Sequence, residues 1–142
     1  MKVKIIIVDD HQMILNGLRS MLSKAQDIEI IGESSDSRSA VDLAVKLKPD
    51  VIVMDLSMPE MNGFKATQQI LQRLPGMKVL ALSMHSDRWN VQRAFTAGMS
   101  GYLLKNCTPD ELSTAIRTVF ADSIYVSKAI APFWDKENTE SN

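Results

Sequence analysis

Three aspartates, a serine and a lysine stand where short apolar runs end. The run from Val3 to Val8 leads into Asp9 and Asp10, and Val51-Ile52-Val53-Met54 leads into Asp55. Val79-Leu80-Ala81-Leu82 ends at Ser83, and Tyr102-Leu103-Leu104 ends at Lys105. Grouped carboxylates suit a hard divalent cation of the Mg2+ type, which takes oxygen ligands from one or two carboxylates, phosphate oxygens and waters. Close together they repel one another, so a cation or the Lys105 ammonium should sit among them. A carboxylate is also a nucleophile able to form an acyl phosphate. A hydroxyl and an ammonium would spread the charge on the oxygens of a phosphoryl group in transfer. The chemistry these residue types would perform together is cation-dependent phosphoryl transfer, with Asp55 as acceptor. A single aspartate after a strand is as readily the cap of the next helix, but an acidic pair after one run and a third aspartate after another weigh against that.

Only a shared edge would bring these groups together. The apolar runs at 3–8, 28–31, 51–54, 79–82 and 101–104 are short and rich in Val, Ile and Leu, as strands buried on both faces are. Helical periodicity lies between them: Ile14, Leu15, Leu18 and Leu22; Ala40, Val41, Ala44 and Leu47; Thr67, Ile70, Leu71 and Leu74; Val91, Ala94, Phe95 and Gly98; Leu112, Ala115, Ile116, Val119 and Phe120. Lys48-Pro49-Asp50 and Leu74-Pro75-Gly76 break helices before strands. Thr108-Pro109-Asp110-Glu111 is a capping-box sequence with proline at the first helical position. Five strand–helix units predict an α/β, doubly wound, flavodoxin-like sheet of five parallel strands in the order 2-1-3-4-5, with helices on both faces. In such sheets ligands bind at the carboxyl ends of the strands, which is where all five chemical groups fall.

Composition narrows the classes further. The chain has 142 residues, 45% of them apolar, enough for one domain with a short appendage. Its net charge is −1, and no basic stripe of the kind a direct nucleic-acid binder carries is visible. The single cysteine, Cys107, excludes an internal disulfide and a zinc–cysteine cluster; it reads as a small packed side chain. No apolar stretch approaches the roughly 20 residues of a membrane span, and Asp9 and Asp10 interrupt any signal-peptide core. The expected location is the cytoplasm.

The fragments Val8-Asp9-Asp10, Met54-Asp55-Leu56-Ser57-Met58-Pro59-Glu60-Met61-Asn62-Gly63, Ala81-Leu82-Ser83 and Gly101-Tyr102-Leu103-Leu104-Lys105, in that order, resemble the receiver domains of two-component response regulators. The resemblance runs from about residue 3 to residue 120. It implies that Asp55 accepts a phosphoryl group from a histidine of a sensor kinase or phosphotransfer protein. It further implies that Mg2+ is held by Asp9, Asp10, Asp55 and the backbone carbonyl of Ser57. Ser83 and Lys105 would contact the phosphoryl group, and Tyr102 would swing inward as Ser83 moves. Asp9-Asp10-His11, Leu82-Ser83-Met84-His85 and the Asn106 that follows Lys105, where most receivers have proline, are similar to the LuxR/FixJ-type branch of helix-turn-helix transcription regulators. In that family phosphorylation commonly changes homodimerisation, through the fifth helix with the first or the fourth.

These features set the remaining expectations. Residues 1–122 should form the receiver domain and 123–142 a C-terminal extension, with Ile124 to Ile130 one more short helical or extended piece and a polar tail from Asp135. About 20 residues are too few for a helix-turn-helix module, so DNA would be met only through an output domain missing from this sequence. A stand-alone receiver acting by phosphorelay or protein–protein interaction is the other form of the same reading. A haloacid-dehalogenase-type phosphatase would place its nucleophile after the first strand and its acidic pair late, the reverse of this order. A flavodoxin-like electron carrier would need a hydroxyl- and glycine-rich phosphate loop where this chain has Asp-Asp-His. His11 reads as a surface loop residue; a place for His85 near the hydrolytic water's path is the minority reading, and Trp89 and Phe120 read as core side chains in preference to exposed contacts.

Overall fold

Alternate residues of each strand face opposite layers, and the computed structural model, which describes residues 2–56 and 62–133, builds two cores on that alternation. Along β1 (Val3–Val8), Ile5 and Ile7 join one core while Ile6 and Val8 join the other. The strands that follow are β2 (Ile28–Ser34), β3 (Val51–Asp55), β4 (Lys78–Ser83) and β5 (Gly101–Leu104). Helices α1 (Gln12–Leu22) and α5 (Pro109–Phe120) cover the Ile5 face through Leu15, Leu18, Leu22, Leu112, Ile116 and Val119. The opposite face carries α2 (Ser37–Leu47), α3 (Gly63–Arg73) and α4 (Arg88–Thr96), which bury Ala40, Ala44, Phe64, Ile70, Val91 and Ala94.

Helix starts follow the side chains written at them. Asp36, Asn62, Asp87 and Thr108 accept from the N–H groups of Ser39, Lys65, Asn90 and Glu111 respectively, each three residues on. The capping box at α5 is half closed. Thr108 caps as the sequence predicts, but the Glu111 carboxylate accepts from the Tyr125 hydroxyl at 3.2 Å. Neither Asp9 nor Asp10 caps α1, whose N-cap, His11, makes no side-chain capping hydrogen bond.

All strands are parallel, and the sheet order is β2-β1-β3-β4-β5-β6. The five-strand expectation is corrected to six by β6 (Tyr125–Val126), which pairs with Gly101 and Tyr102. Two residues carry no readable alternation, so β6 is defined by its partner and not by its own pattern. After α5, Asp122 takes a left-handed φ of 68° and the chain turns back along β5. There Tyr125 N–H bonds Ser100 O at 3.3 Å and Ser127 N–H bonds Tyr102 O at 3.1 Å. Ile130 is then fully buried in the core under α4, beside the short 3-10 turn Ala131–Phe133. Of 124–130 only Tyr125–Val126 is strand, and Lys128 to Ile130 form a turn, so the expected single helical or extended piece is split; the tail from Asp135 lies outside the described residues.

Two expected core residues are at the surface. Trp89 is 64% exposed and Phe120 38%. Trp89 occupies the first turn of α4, where Arg93 stacks between its ring and that of Phe64 at 5.1 and 4.2 Å from the centroids. Among the described residues no helix is long and apolar enough to cross a membrane.

Candidate functional site

Strand register assembles the site. Val8 pairs with Met54, so the residues that follow them, Asp9 and Asp55, emerge side by side. Asp55 pairs with Leu82, and Ser83 with Leu104, which brings Ser83 and Lys105 to the same edge. The Lys105 N–H bonds Ser83 O at 2.9 Å and so fixes where its side chain starts. Asp9, Asp55 and Ser83 are buried, and Lys105 is 11% exposed.

The Lys105 ammonium bridges the two buried carboxylates. It lies 3.0 Å from Asp55 Oδ1 and 3.2 Å from Asp9 Oδ2. The second contact falls outside hydrogen-bond geometry, so Asp9 Oδ2 is a buried carboxylate oxygen that accepts no hydrogen bond. A buried charge held that way carries a desolvation cost that a cation would relieve. Asp9 Oδ1 accepts from His11 N–H at 2.9 Å and lies 3.2 Å from His11 Nδ1, which is 2.7 Å from Asp10 Oδ1. Asp9, Asp10, His11 and Asp55 each offer one ligand atom, all within 4.8 Å of one another. Oxygen-rich, acidic and compact, this donor set fits a hard divalent cation. Ser57, the expected carbonyl ligand, lies outside the described residues.

Gly63, at the first turn of α3, backs the nucleophile candidate. A Cβ there would meet Asp55 O at 2.7 Å and Leu56 Cδ2 at 2.8 Å, so the helix approaches β3 only because the side chain is hydrogen.

A chain of hydrogen bonds leads away from the edge. Ser83 Oγ accepts from His85 N–H at 3.0 Å, and His85 O accepts from the Tyr102 hydroxyl at 2.7 Å. The Tyr102 ring is fully buried. Burial raises its phenol above the ordinary value, Asp87 adds to that, and the Ser83 hydroxyl partly offsets it. Tyr102 O in turn accepts from Ser127 N–H, and Ser127 Oγ accepts from Leu104 N–H at 3.3 Å. All described peptide bonds are trans, Lys105–Asn106 included. Cys107 is half-buried, and burial together with Glu111 pushes its thiol up to about 11, so it is not a thiolate at neutral pH.

The structure therefore brings Asp9, Asp10, Asp55, Ser83 and Lys105 to one edge and sets Tyr102 behind Ser83. Sequence reasoning underrated two residues. His11 is 61% exposed, as a loop residue would be, yet its ring reaches both members of the acidic pair. Its only signal was its place directly after Asp9-Asp10. Ser127 had none, because its role depends on β6 lying against β5.

The model of the response regulator receiver domain matches residues 5–117, and the chain belongs to that family. It is 40% identical over 125 residues to the transcriptional regulatory protein DegU of Brevibacillus brevis, across 88% of this chain and 53% of that protein. It is 42% identical over 117 residues to the response regulator protein VraR of Staphylococcus aureus, across 82% of this chain and 56% of that one. A two-component response regulator of the LuxR family from Aurantimonas sp. SI85-9A1 matches its structure with a TM-score of 0.90 at 32% identity, over 97% of this chain and 99% of that one. The isolated REC domain of RcsB from Salmonella enterica serovar Typhimurium, with BeF3-, gives 0.84 at 23% identity over 95% and 100%, a likeness of fold alone. These relatives agree with the LuxR/FixJ-type branch read from the sequence. The chain spans about half the length of the curated relatives it matches.

Proposed function

We propose that this chain is the phosphoacceptor domain of a cytoplasmic two-component response regulator that controls transcription, and that Asp55 carries the phosphoryl group. The observation that carries the reading is the buried Asp55 carboxylate at the end of β3, 3.0 Å from the Lys105 ammonium and beside Asp9. An Asp55 oxygen attacks the phosphorus of a phosphohistidine on a sensor kinase or phosphotransfer protein. The P–N bond breaks, its electron pair returns to the imidazole, and an acyl phosphate remains on Asp55. Such a transfer needs positioning and neutralisation of the equatorial oxygens more than covalent help. Lys105 supplies one positive charge, and Ser83 brings a hydroxyl to the same edge. Asp9, Asp10, Asp55 and the Ser57 carbonyl would hold Mg2+, which when bound neutralises charge on the carboxylates and phosphoryl oxygens. The domain is a phosphoacceptor and not an enzyme in the ordinary sense; self-phosphorylation from small donors and self-dephosphorylation rest on the same groups.

Output follows the hydrogen-bond chain. New bonds from the phosphoryl group would draw Ser83 and Lys105. A displacement of Ser83 reaches Tyr102 through His85 and then Ser127, in the segment after α5. We place the receiver in 1–122 and the extension in 123–142, with DNA contacted only by an output domain outside this sequence. Homodimerisation on phosphorylation is the second part of the proposal, and the exposed Trp89 on α4 and Phe120 at the end of α5 support it. If the inactive state predominates 99:1, reversing that ratio takes about 5.5 kcal/mol of differential stabilisation.

The test is intact-protein mass after incubation with a small phosphodonor and Mg2+, for wild type and Asp55→Asn. One added phosphoryl group in the wild type alone is expected. Equal labelling of the variant, or none of the folded wild type, overturns the assignment.

A further inference from the structure

Ser127 is a buried polar residue, 3% exposed, that lies beyond residue 117, where the match to the receiver family ends. A buried polar group is costly unless it is hydrogen-bonded, and every polar group of Ser127 is engaged. Its N–H donates to Tyr102 O at 3.1 Å; its Oγ accepts from Leu104 N–H at 3.3 Å and donates to Tyr102 O at 3.4 Å. Its carbonyl accepts from the N–H groups of Ile130 and Ala131, both at 3.0 Å. That turn carries Ile130 into the core under α4.

The two β5 groups that Ser127 holds flank the chemistry. Lys105 N–H turns inward to Ser83 O on β4 at 2.9 Å, while the Tyr102 carbonyl and Leu104 N–H turn outward, away from β4. β6 pairs only with Gly101 and Tyr102, so the last stretch of β5 is left to Ser127. Lys105 thus leaves a strand end held on two sides, by β4 through its own N–H and by Ser127 through the N–H before it. Its ammonium stands 3.0 Å from Asp55 Oδ1 at the end of a four-carbon stem. A small tilt of the peptide at the root of that stem swings the charge off the carboxylate.

We propose that Ser127 is a positioning residue for Lys105, and that Asp55 takes up a phosphoryl group fastest when the segment after α5 is docked along β5. The inference rests on the phosphoacceptor reading of Asp55. A pull on the chain beyond Phe133 would then reach the site from outside the receiver, because drawing the segment off β5 frees Leu104 N–H and slackens Lys105.

Intact-protein mass against time, with acetyl phosphate and Mg2+ at saturation, reads the transfer, in which acetate leaves as the phosphoryl group passes to Asp55. Misplacement by 1 Å can cost about 100-fold in rate, so losing one of two holds on Lys105 in Ser127→Ala should slow labelling roughly 3–10-fold. The 15N resonance of Lys105 Nζ should shift in the same variant without donor. Leu22→Ala, which empties core volume under the far end of α1, is the control for lost stability. It should label at the wild-type rate and leave the Lys105 signal in place. Ser127→Ala removes a single oxygen, so its fold should hold, and circular dichroism checks that. Wild-type labelling by Ser127→Ala, or an unmoved Lys105 signal in it, overturns the role of Ser127 and leaves the phosphoacceptor standing. Equal slowing in Leu22→Ala overturns it too, since stability alone would then explain the loss. Failure of the folded wild type to label overturns both the phosphoacceptor and the positioning residue that rests on it.

Discussion

Lys105→Met keeps a long unbranched side chain and removes the ammonium that bridges Asp9 and Asp55. Both carboxylates are fully buried, and Lys105 approaches them at 3.2 and 3.0 Å with 11% exposure. Removing one partner of a buried ion pair costs about 3–5 kcal/mol, because the other charge stays buried. The edge location argues for the lower end, so about 3 kcal/mol is expected in the presence of a chelator. For a domain of this size each kcal/mol moves the thermal midpoint by roughly 3–4 °C, which gives a fall of about 10 °C. The fold should survive, since domains commonly hold about 5–15 kcal/mol. Added Mg2+ should raise the midpoint of the variant more than that of the wild type, because in the variant it meets carboxylates that have lost their ammonium. Differential scanning calorimetry with chelator and with Mg2+ reads both effects. A midpoint within about 2 °C of the wild type in chelator would refute the picture of Lys105 as the counter-charge of a strained acidic pair.

Three further outcomes follow from packing and titration. Gly63→Ala must push a methyl against the Asp55 carbonyl and Leu56, and should cost about 1–3 kcal/mol in urea unfolding. Ile130→Ala should lose about 2–5 kcal/mol for the emptied core volume, and an unchanged midpoint would mean that the segment after α5 does not dock in solution. Asp27 titrates below its ordinary 3.8 because Arg117 donates to both of its carboxylate oxygens, at 2.7 and 2.9 Å. A carboxyl depressed in the folded state adds stability above its unfolded value, and that stability is lost as pH falls through the folded one. The same holds for the helix caps Asp36 and Asp87, lowered by Ser39 and Asn90. Acid titration of stability should therefore steepen below about pH 4, and Arg117→Ala should flatten the part due to Asp27.

The buried strands were legible because burial on both faces leaves an uninterrupted run of Val, Ile and Leu, and the site was legible because its residues end those runs. Register then did the rest: Asp9 beside Asp55, and Lys105 beyond Ser83, are consequences of parallel pairing. What pattern could not supply was long-range docking. Tyr125–Val126 is too short to alternate, and Ile130 becomes core only when α4 lies above it. Trp89, expected in the core, lies at the surface. Its position at the first turn of α4 and its stacking with Arg93 keep it outside. His11 is the exposed loop residue expected, and only the contact of its ring with the acidic pair was not legible in the sequence.

The two-residue strand β6 also has a bearing on how these molecules avoid one another. Without it, β5 would end the sheet with a bare row of backbone groups, among them the Tyr102 carbonyl, open to any extended chain that came alongside. Ser127, just past β6, satisfies that carbonyl, and β6 is too brief to be a template itself. Trimming the chain before Tyr125 would expose the flank of the strand that carries Tyr102. Strand addition there would lock neighbouring copies together through the segment that the proposed phosphorylation signal has to move.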